Sequence, residues 1–427
     1  MKRFLPAIAL CCLAHAALAD PVYDVSQFNA YENDGTTAFQ AGKYAEAEAA
    51  FATATLYNPQ QAGGFYNLAA AAARNGDREK ALAALERFAQ FGFGVNLFTA
   101  ADFASLRGNA EFTRIAQTVA GAAAPFCACK TIYQGSADAF IAEGVAQDSH
   151  TGRLFVSSIA QRKIIAIWGG VAHDFTQVPD GMSPLGIRIN AAHDTLWAAA
   201  STLAQSDHGN GDMGNAALLA FDITSGALRA RYNAPIYAAK RSFNDLTFAP
   251  DGTAYVSDAI EGSIFRLKPG ADALELVGDR ARFSSPQGMV VSDDGKTLLV
   301  ADYTAGLQRL DIESGVLDQV AVPPGITTLG MDGLVQLRDG SFAATQNRIR
   351  PNRVVHFRLS KNWGQLEAFG VLARGGAELS DVTLLTPDGN DLLVSGASQW
   401  ASFDDDSGTP ARPLQRWHIT RVAMPLK

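Results

Sequence analysis

Six stretches in the second half of this chain are variants of one pattern. Glu143-Gly144-Val145 runs through Asp148 and Gly152 into Leu154-Phe155-Val156-Ser157. Asn244-Asp245-Leu246 runs through Asp251-Gly252 into Tyr255-Val256-Ser257-Asp258. Gln287-Gly288-Met289, Asp332-Gly333-Leu334 and Ser380-Asp381-Val382 open three further copies, and Leu185-Gly186-Ile187 opens a weaker one. From Gly144 the equivalent positions are Gly186, Asp245, Gly288, Gly333 and Asp381, at steps of 42, 59, 43, 45 and 48 residues. Each copy is two apolar runs joined by Asp-Gly or a similar turn, which is a strong short hairpin signal. A repeat of about 40–50 residues built this way predicts the blades of a propeller. Six copies predict six blades around a channel. The 59-residue step places an insertion in the second blade, with His208 inside a Gly-, Asp- and Asn-rich loop that could fold over the channel mouth.

Residues before this repeat read differently. Lys2 and Arg3, an apolar run over residues 4–13 and Ala17-Leu18-Ala19 predict a secretory leader over residues 1–19, with Asp20 first in the mature chain. That expectation makes the protein periplasmic or secreted. Nothing after the leader is apolar for about 18 residues, so no membrane insertion is expected. The net charge is −8, and two units more negative without Lys2 and Arg3. Such a balance gives no electrostatic reason to bind nucleic acid or an anionic membrane. It suits a cation or a neutral small molecule.

Residues 20–123 are Ala-rich and lack strand signals. Gly42/Gly76, Ala47/Ala81, Phe51/Leu85 and Ala54/Phe88 recur at an offset of 34. With Tyr44 and Pro59, this pattern resembles the tetratricopeptide repeat, a stack of helix pairs. Phe103, Leu106, Phe112, Ile115 and Val119 fall at helical spacing and predict a capping layer. The resemblance implies a surface that recruits a protein partner; the other reading is a helical block docked on the propeller. Residues 121–125, Gly-Ala-Ala-Ala-Pro, read as the linker, and residues 124–427 as the propeller. Strand-like runs at Thr131-Ile132-Tyr133 and over residues 416–423 are placed to close the ring in one blade. Cys127 and Cys129 lack the partners of a zinc site and read as a tight disulfide, an intermolecular pairing or a plain linker pair.

In a propeller the first residue of each innermost strand faces the channel mouth. Here these are Glu143, Leu185, Asn244, Gln287, Asp332 and Ser380. Two carboxylates in one pocket repel, so one takes up a proton unless a cation joins them. An all-oxygen set suits a hard divalent ion. Asp258, Asp302, Gln346, Asn347, Gln399 and Trp400 follow the second strands and are candidates for the same mouth. His150, His173 and His193 fall near turns away from it. No Gly-x-Ser-x-Gly, His-Glu-x-x-His or phosphate loop supports serine-hydrolase, zinc-protease or nucleotide chemistry.

Over about residues 138–400 the repeats resemble the gluconolactonase, senescence-marker-protein and luciferin-regenerating family. The likeness rests on Glu143-Gly144-Val145, Phe243-Asn244-Asp245, Ser285-Pro286-Gln287-Gly288-Met289 and Met331-Asp332-Gly333. It implies a divalent cation, Ca2+ first and Zn2+ or Mn2+ after it, held by Glu143, Gln287 and Asp332. Asp332 would also be the catalytic base. Asn244 would contact the substrate; Asp302, Gln346, Asn347, Gln399 and Trp400 are read as further contacts from their place after the second strands, not from the resemblance. Gln287 stands where the family has an asparagine, and Ser242 where it often has an arginine. Two functions follow: a metal-dependent hydrolase of sugar lactones or related esters, or a non-catalytic binding propeller with a partner-recruiting helical module. Bound metal would favour the first. A mouth blocked by Leu185, Met289 or Met331 would favour the second.

Overall fold

The computed structural model describes residues 24–190, 194–206, 214–236 and 240–424. The expected leader, His193, His208 and most of the second-blade insertion lie outside them. Five α-helices come first: α1 (Val25–Gln40), α2 (Tyr44–Tyr57), α3 (Ala62–Asn75), α4 (Arg78–Gln90) and α5 (Ala110–Ala122). The first four pack as two consecutive antiparallel pairs joined by short turns. Asp24, Asp77 and Asn109 cap α1, α4 and α5 by accepting a backbone N–H, and Gly76 ends α3 in the left-handed conformation. Ala47, Phe51, Leu68, Ala72, Ala81, Leu85 and Phe88 form one core with Phe103, Leu106, Phe112, Ile115 and Val119. The expected capping layer is therefore present, as a 3-10 turn (Ala101–Leu106) followed by α5. Among the described residues, no helix is long and apolar enough to cross a membrane.

The remaining strands form six sheets, the six blades of a propeller. Their innermost strands are β3 (Ala142–Gln147), β7 (Ser183–Asn190), β11 (Phe243–Phe248), β15 (Pro286–Val291), β19 (Met331–Gln336) and β23 (Leu385–Asp388). Each pairs antiparallel with the next strand, and in blades 1, 3, 4, 5 and 6 the turn glycines Gly152, Gly252, Gly295, Gly340 and Gly389 take a positive φ. The sixth blade closes the ring: β2 (Cys129–Gln134) pairs with β25 (His418–Val422), which pairs with β24 (Asp391–Ala397). N-terminal and C-terminal strands thus share one sheet, as the sequence suggested.

The expected linker is reduced to residues 123–125. Gly121 belongs to α5, and β1 (Phe126–Cys127) already pairs with β22 (Leu366–Arg374) as a fifth strand of blade 5. Cys127 on β1 and Cys129 on β2 are joined by a disulfide, with Cα atoms 5.0 Å apart, where the chain steps from blade 5 to blade 6. The helices rest directly on the propeller. Gln60 accepts hydrogen bonds from the Thr328 backbone N–H (2.7 Å) and hydroxyl (2.8 Å), and Arg353 donates to the Phe91 carbonyl (3.0 Å).

Candidate functional site

The repeated X-Gly pair at the start of the inner strands, with Asp in place of Gly in blades 3 and 6, builds the mouth. In blades 1 to 5 the register slips between residues three apart, from Ala142 to Val145, Pro184 to Ile187, Phe243 to Leu246, Pro286 to Met289 and Met331 to Leu334. Each slip is a β-bulge, which bends a strand locally and re-aims a side chain. The re-aimed residues are Glu143, Leu185, Asn244, Gln287 and Asp332, and all five line one cavity.

The residue after each of these packs against the neighbouring blade. A Cβ on Gly144 would lie 2.5 Å from the Leu185 carbonyl oxygen, and one on Gly288 would lie 2.5 Å from the Leu334 nitrogen. Glycine is needed there for close backbone approach. The bulge leaves a backbone N–H outside the ladder, and a buried hydroxyl from the second strand takes it. Ser157 accepts from Gly144, Ser257 from Asp245 and Thr345 from Gly333. Ser157 and Thr345 donate in turn to carbonyls of the next blade, Leu185 and Thr383. The hydroxyls therefore satisfy the irregular backbone and tie adjacent blades together.

The cavity measures about 780 Å³. Beside the five inner-strand residues it is lined by Ser242, Ser285, Tyr303, Asn347, Arg350, Asp381 and Thr383, and by a strap over the mouth that brings Trp400, Phe403, Asp405 and Arg412. Met289 and Met331 turn into inter-blade cores instead, so neither blocks the mouth. Leu185 gives it one apolar wall.

Glu143 and Asp332 come from blades 1 and 5 and are 6% and 9% exposed. Burial, reinforced by the charge of Asp332, holds the Glu143 carboxyl well above its ordinary value. Burial, reinforced by the charge of Asp245, raises Asp332 to about 7. Burial raises Asp381 as well. Tyr303 is pushed up to about 12 by burial and by the nearby Asp332 charge, so it stays protonated at neutral pH. The Trp400 indole N–H donates to Glu143 Oε2 (2.5 Å) and the Asn347 amide to Asp332 Oδ2 (2.8 Å). Asn244 donates to Gln287 Oε1 (2.9 Å), and Gln287 to the Ser285 hydroxyl (3.1 Å). The Asn244 and Asn347 Oδ1 atoms are buried without a hydrogen-bond partner. One layer below, Asp245 is 1% exposed and ion-paired with Arg188 at 2.9 Å.

Of the residues expected at the mouth, Glu143, Asn244, Gln287, Asp332, Asn347 and Trp400 are brought together. Asp302, Gln346 and Gln399 are placed elsewhere. Asp302 is fully buried and accepts backbone N–H groups of Ser284, Ser285, Thr304 and Ala305. Gln346 braces the Thr327 and Leu329 carbonyls, and Gln399 holds the Asp138 carbonyl and the Gln415 N–H. Their polar atoms satisfy loop backbone behind the wall, as Asp258 does for Ser242 and Glu261. His173 stacks on Trp168 at the outer edge of blade 1. Ser380 is also displaced: a 3-10 turn (Ala377–Leu379) precedes it, and Asp381 faces the cavity in its stead. Tyr303 and Arg350 were missed, although Tyr303 directly follows Asp302 and Arg350 lies three residues past Asn347.

The donor set suits a hard cation, because two buried carboxylates, neither of them in a direct ion pair with a described residue, share the mouth with amide oxygens that have no hydrogen-bond donor. Among the described residues, no three His, Cys, Asp or Glu side chains converge closely enough to hold a metal by themselves. A cation at this mouth would need amide oxygens in its coordination.

No family model matches the chain, and no curated protein matches it. Solved structures do. The chain is similar to a gluconolactonase from Xanthomonas campestris, with 18% identity over 70% of this chain and 89% of that one, at a TM-score of 0.48. It is similar to regucalcin, a calcium-binding protein from Agrobacterium tumefaciens, with 19% identity over 70% and 96% and a TM-score of 0.47. Luciferin-regenerating enzyme gives 15% identity over 70% and 96%, also at 0.47. An aldose sugar dehydrogenase from Streptomyces coelicolor (TM-score 0.47) and a virginiamycin B lyase from Staphylococcus aureus (0.45) match over the same 70% of this chain, so the likeness is one of fold alone.

Proposed function

We propose that this chain is an exported, divalent-cation-dependent hydrolase of sugar lactones or related esters. The supporting observation is the pair of buried carboxylates, Glu143 and Asp332, offered from different blades to one mouth beside the donorless amide oxygen of Asn244. Glu143, Asp332 and Gln287 would hold the cation, with Ca2+ first among hard ions and Zn2+ or Mn2+ after it. When bound, such an ion supplies Lewis-acid polarisation of the lactone carbonyl.

The chain's own groups account for the proton. The Asn347 amide holds Asp332 Oδ2, which leaves Oδ1 to take a proton from the attacking water. The water oxygen bonds to the carbonyl carbon, the ring C–O bond breaks, and Asp332 returns the proton to the ring oxygen. Tyr303 keeps its proton and can donate an O–H to a ligand oxygen. Trp400 fixes the Glu143 carboxylate, while Leu185 and Phe403 supply a dry side to the cavity. Metal analysis and calorimetry with Ca2+, Mn2+ and Zn2+, followed by a panel of aldonolactones, test the reading. The expected result is one bound ion and ring opening that Asp332→Asn abolishes. If no ion binds and no lactone opens, the proposal is withdrawn in favour of a ligand-binding propeller.

A further inference from the structure

The helices touch the propeller at its mouth. Besides the end of α5 and the residues just after it, where the Gly121 and Ala124 carbonyls accept from Arg374, two loops of the helical module make the contact: the turn between α2 and α3, which carries Gln60, and the segment after α4, residues 91–94. Gln60 is 2% exposed, and its Oε1 accepts both the backbone N–H and the hydroxyl of Thr328. The second loop uses main chain. The Phe91 carbonyl accepts from Arg353 Nη1, and the Gly94 N–H donates to the Arg350 carbonyl (2.8 Å). The second loop is shaped for close approach: Gly92 has a φ of +76°, and a Cβ on it would lie 3.2 Å from Arg353 Nη1.

The groups they grip belong to one braced unit. Arg353 is 4% exposed, lies over the Phe369 ring and donates through Nε to Gln346 Oε1 (2.6 Å). Gln346 donates onward to the carbonyls of Thr327 (3.0 Å) and Leu329 (2.6 Å), on either side of Thr328. Burial lowers Arg353 to about 9, as expected for a guanidinium whose partners are an amide and a carbonyl. The same unit carries Asn347, whose backbone N–H bonds the Gly330 carbonyl and whose amide bonds Asp332 Oδ2 and the Val382 carbonyl. It also carries Arg350, whose side chain lines the cavity. The path from Gln60 and Phe91 to the Asp332 carboxylate therefore alternates hydrogen bonds with short covalent steps, from Thr328 to Leu329 and Gly330 and from Gln346 to Asn347.

We propose that the helical module is part of the site: its two loops hold residues 346–353 in place and, through Asn347, fix the position of the Asp332 carboxylate. Gln60 is then a positioning residue. It touches no ligand and acts through Thr328 and Asn347. The inference rests on the reading of the cavity as a cation site only for its second readout below.

The test uses the full chain. Gln60→Met keeps the side-chain shape but removes the acceptor, leaving both Thr328 donors without it; Gln60→Glu retains acceptor oxygens. Two quantities are measured well below the melting temperature. The first is amide hydrogen exchange over residues 346–353, with blade-4 residues 286–291 as control. The second is the affinity for terbium(III), a luminescent probe of oxygen-lined cation sites. Gln60→Met should speed exchange over 346–353 and weaken terbium(III) by roughly tenfold or more, as loss of an outer-shell partner does. Residues 286–291 should be unchanged, and Gln60→Glu should recover most of both effects. Faster exchange confined to the helices would overturn the proposal. So would loosening of 346–353 with terbium(III) affinity intact. If the wild type binds no terbium(III), the cation reading fails on its own, and the positioning role stands or falls on exchange at 346–353.

Discussion

Asp332→Asn should stabilise the protein in chelator at alkaline pH while abolishing hydrolysis. In the cation-free fold the Asp332 carboxyl titrates at about 7 rather than 3.8. A carboxylate raised in the folded state keeps its proton there after the unfolded chain has lost it. Its favourable contribution is complete below pH 3.8 and is lost as pH rises through about 7. Above that, the ionised group costs about 4 kcal/mol, at roughly 1.36 kcal/mol per tenfold. This is an upper bound, since the fold can relax around the charge. Asparagine has the same shape and no charge, so the variant escapes that cost and also relieves Glu143, whose upward shift includes the Asp332 charge. Chemical denaturation in chelator at pH 5 and pH 8.5 measures the difference. The wild type should weaken over that interval, and the variant should exceed it at pH 8.5 by about 2–4 kcal/mol. Ca2+ at 100 times its dissociation constant should return about 2.7 kcal/mol to the wild type and little to the variant. A wild type with flat stability between these pH values, or a variant weaker than it at pH 8.5, would refute the reasoning.

Gly288→Ala should destabilise the propeller by about 1–3 kcal/mol or more in urea denaturation, because its Cβ would meet the Leu334 nitrogen at 2.5 Å. Trp400→Phe keeps the ring but removes the indole N–H from Glu143. It should raise the Glu143 pKa further and weaken terbium(III) by about tenfold, with the melting temperature in chelator little changed.

How much of this was legible can be argued blade by blade. The Asp-Gly turns and the period near 43 predict six hairpins, because a tight turn between strands needs positive φ and a repeat needs equivalent units. Glu143, Asn244, Gln287 and Asp332 were legible as a ring because each precedes the same glycine or its stand-in. Asp302 and Gln346 were misplaced because sequence position after a second strand does not say which way a side chain turns. The loop backbone there has N–H and carbonyl groups to satisfy, and a carboxylate or amide satisfies them locally. Blade 6 misled by one residue, since its 3-10 turn replaces the bulge and brings Asp381 rather than Ser380 to the mouth. The docking of the helices was illegible because Gln60, Phe91 and Gly94 act through one amide and two backbone groups, which carry no sequence pattern.

These misses share a physical cause that bears on how the site works. The repeat specifies what most blades share: a glycine against the next blade in blades 1, 2, 4 and 5, a hydroxyl for the bulge in blades 1, 3 and 5, and a turn at the far end. It cannot specify what differs between blades, and the chemistry lies in those differences. Blade 2 offers Leu185 where blades 1 and 5 offer carboxylates, so charge is confined to one side of the mouth. Blade 4 lacks the bulge hydroxyl, having Ala301 at the position of Ser257 and Thr345, so Gln287 sits on the least braced of the polar bulges. Its amide takes support from Ser285 and Asn244 instead. A longer side chain on a less constrained bulge, held only by neighbouring side chains, can shift toward or away from an ion at small cost. Gln287→Asn shortens that reach by one methylene and should lose the contact with Asn244. If Gln287 is a ligand, terbium(III) affinity should change by severalfold while the urea midpoint in chelator stays put. Unchanged affinity would remove Gln287 from the ligand set and leave Glu143, Asp332 and Asn244 to hold the ion.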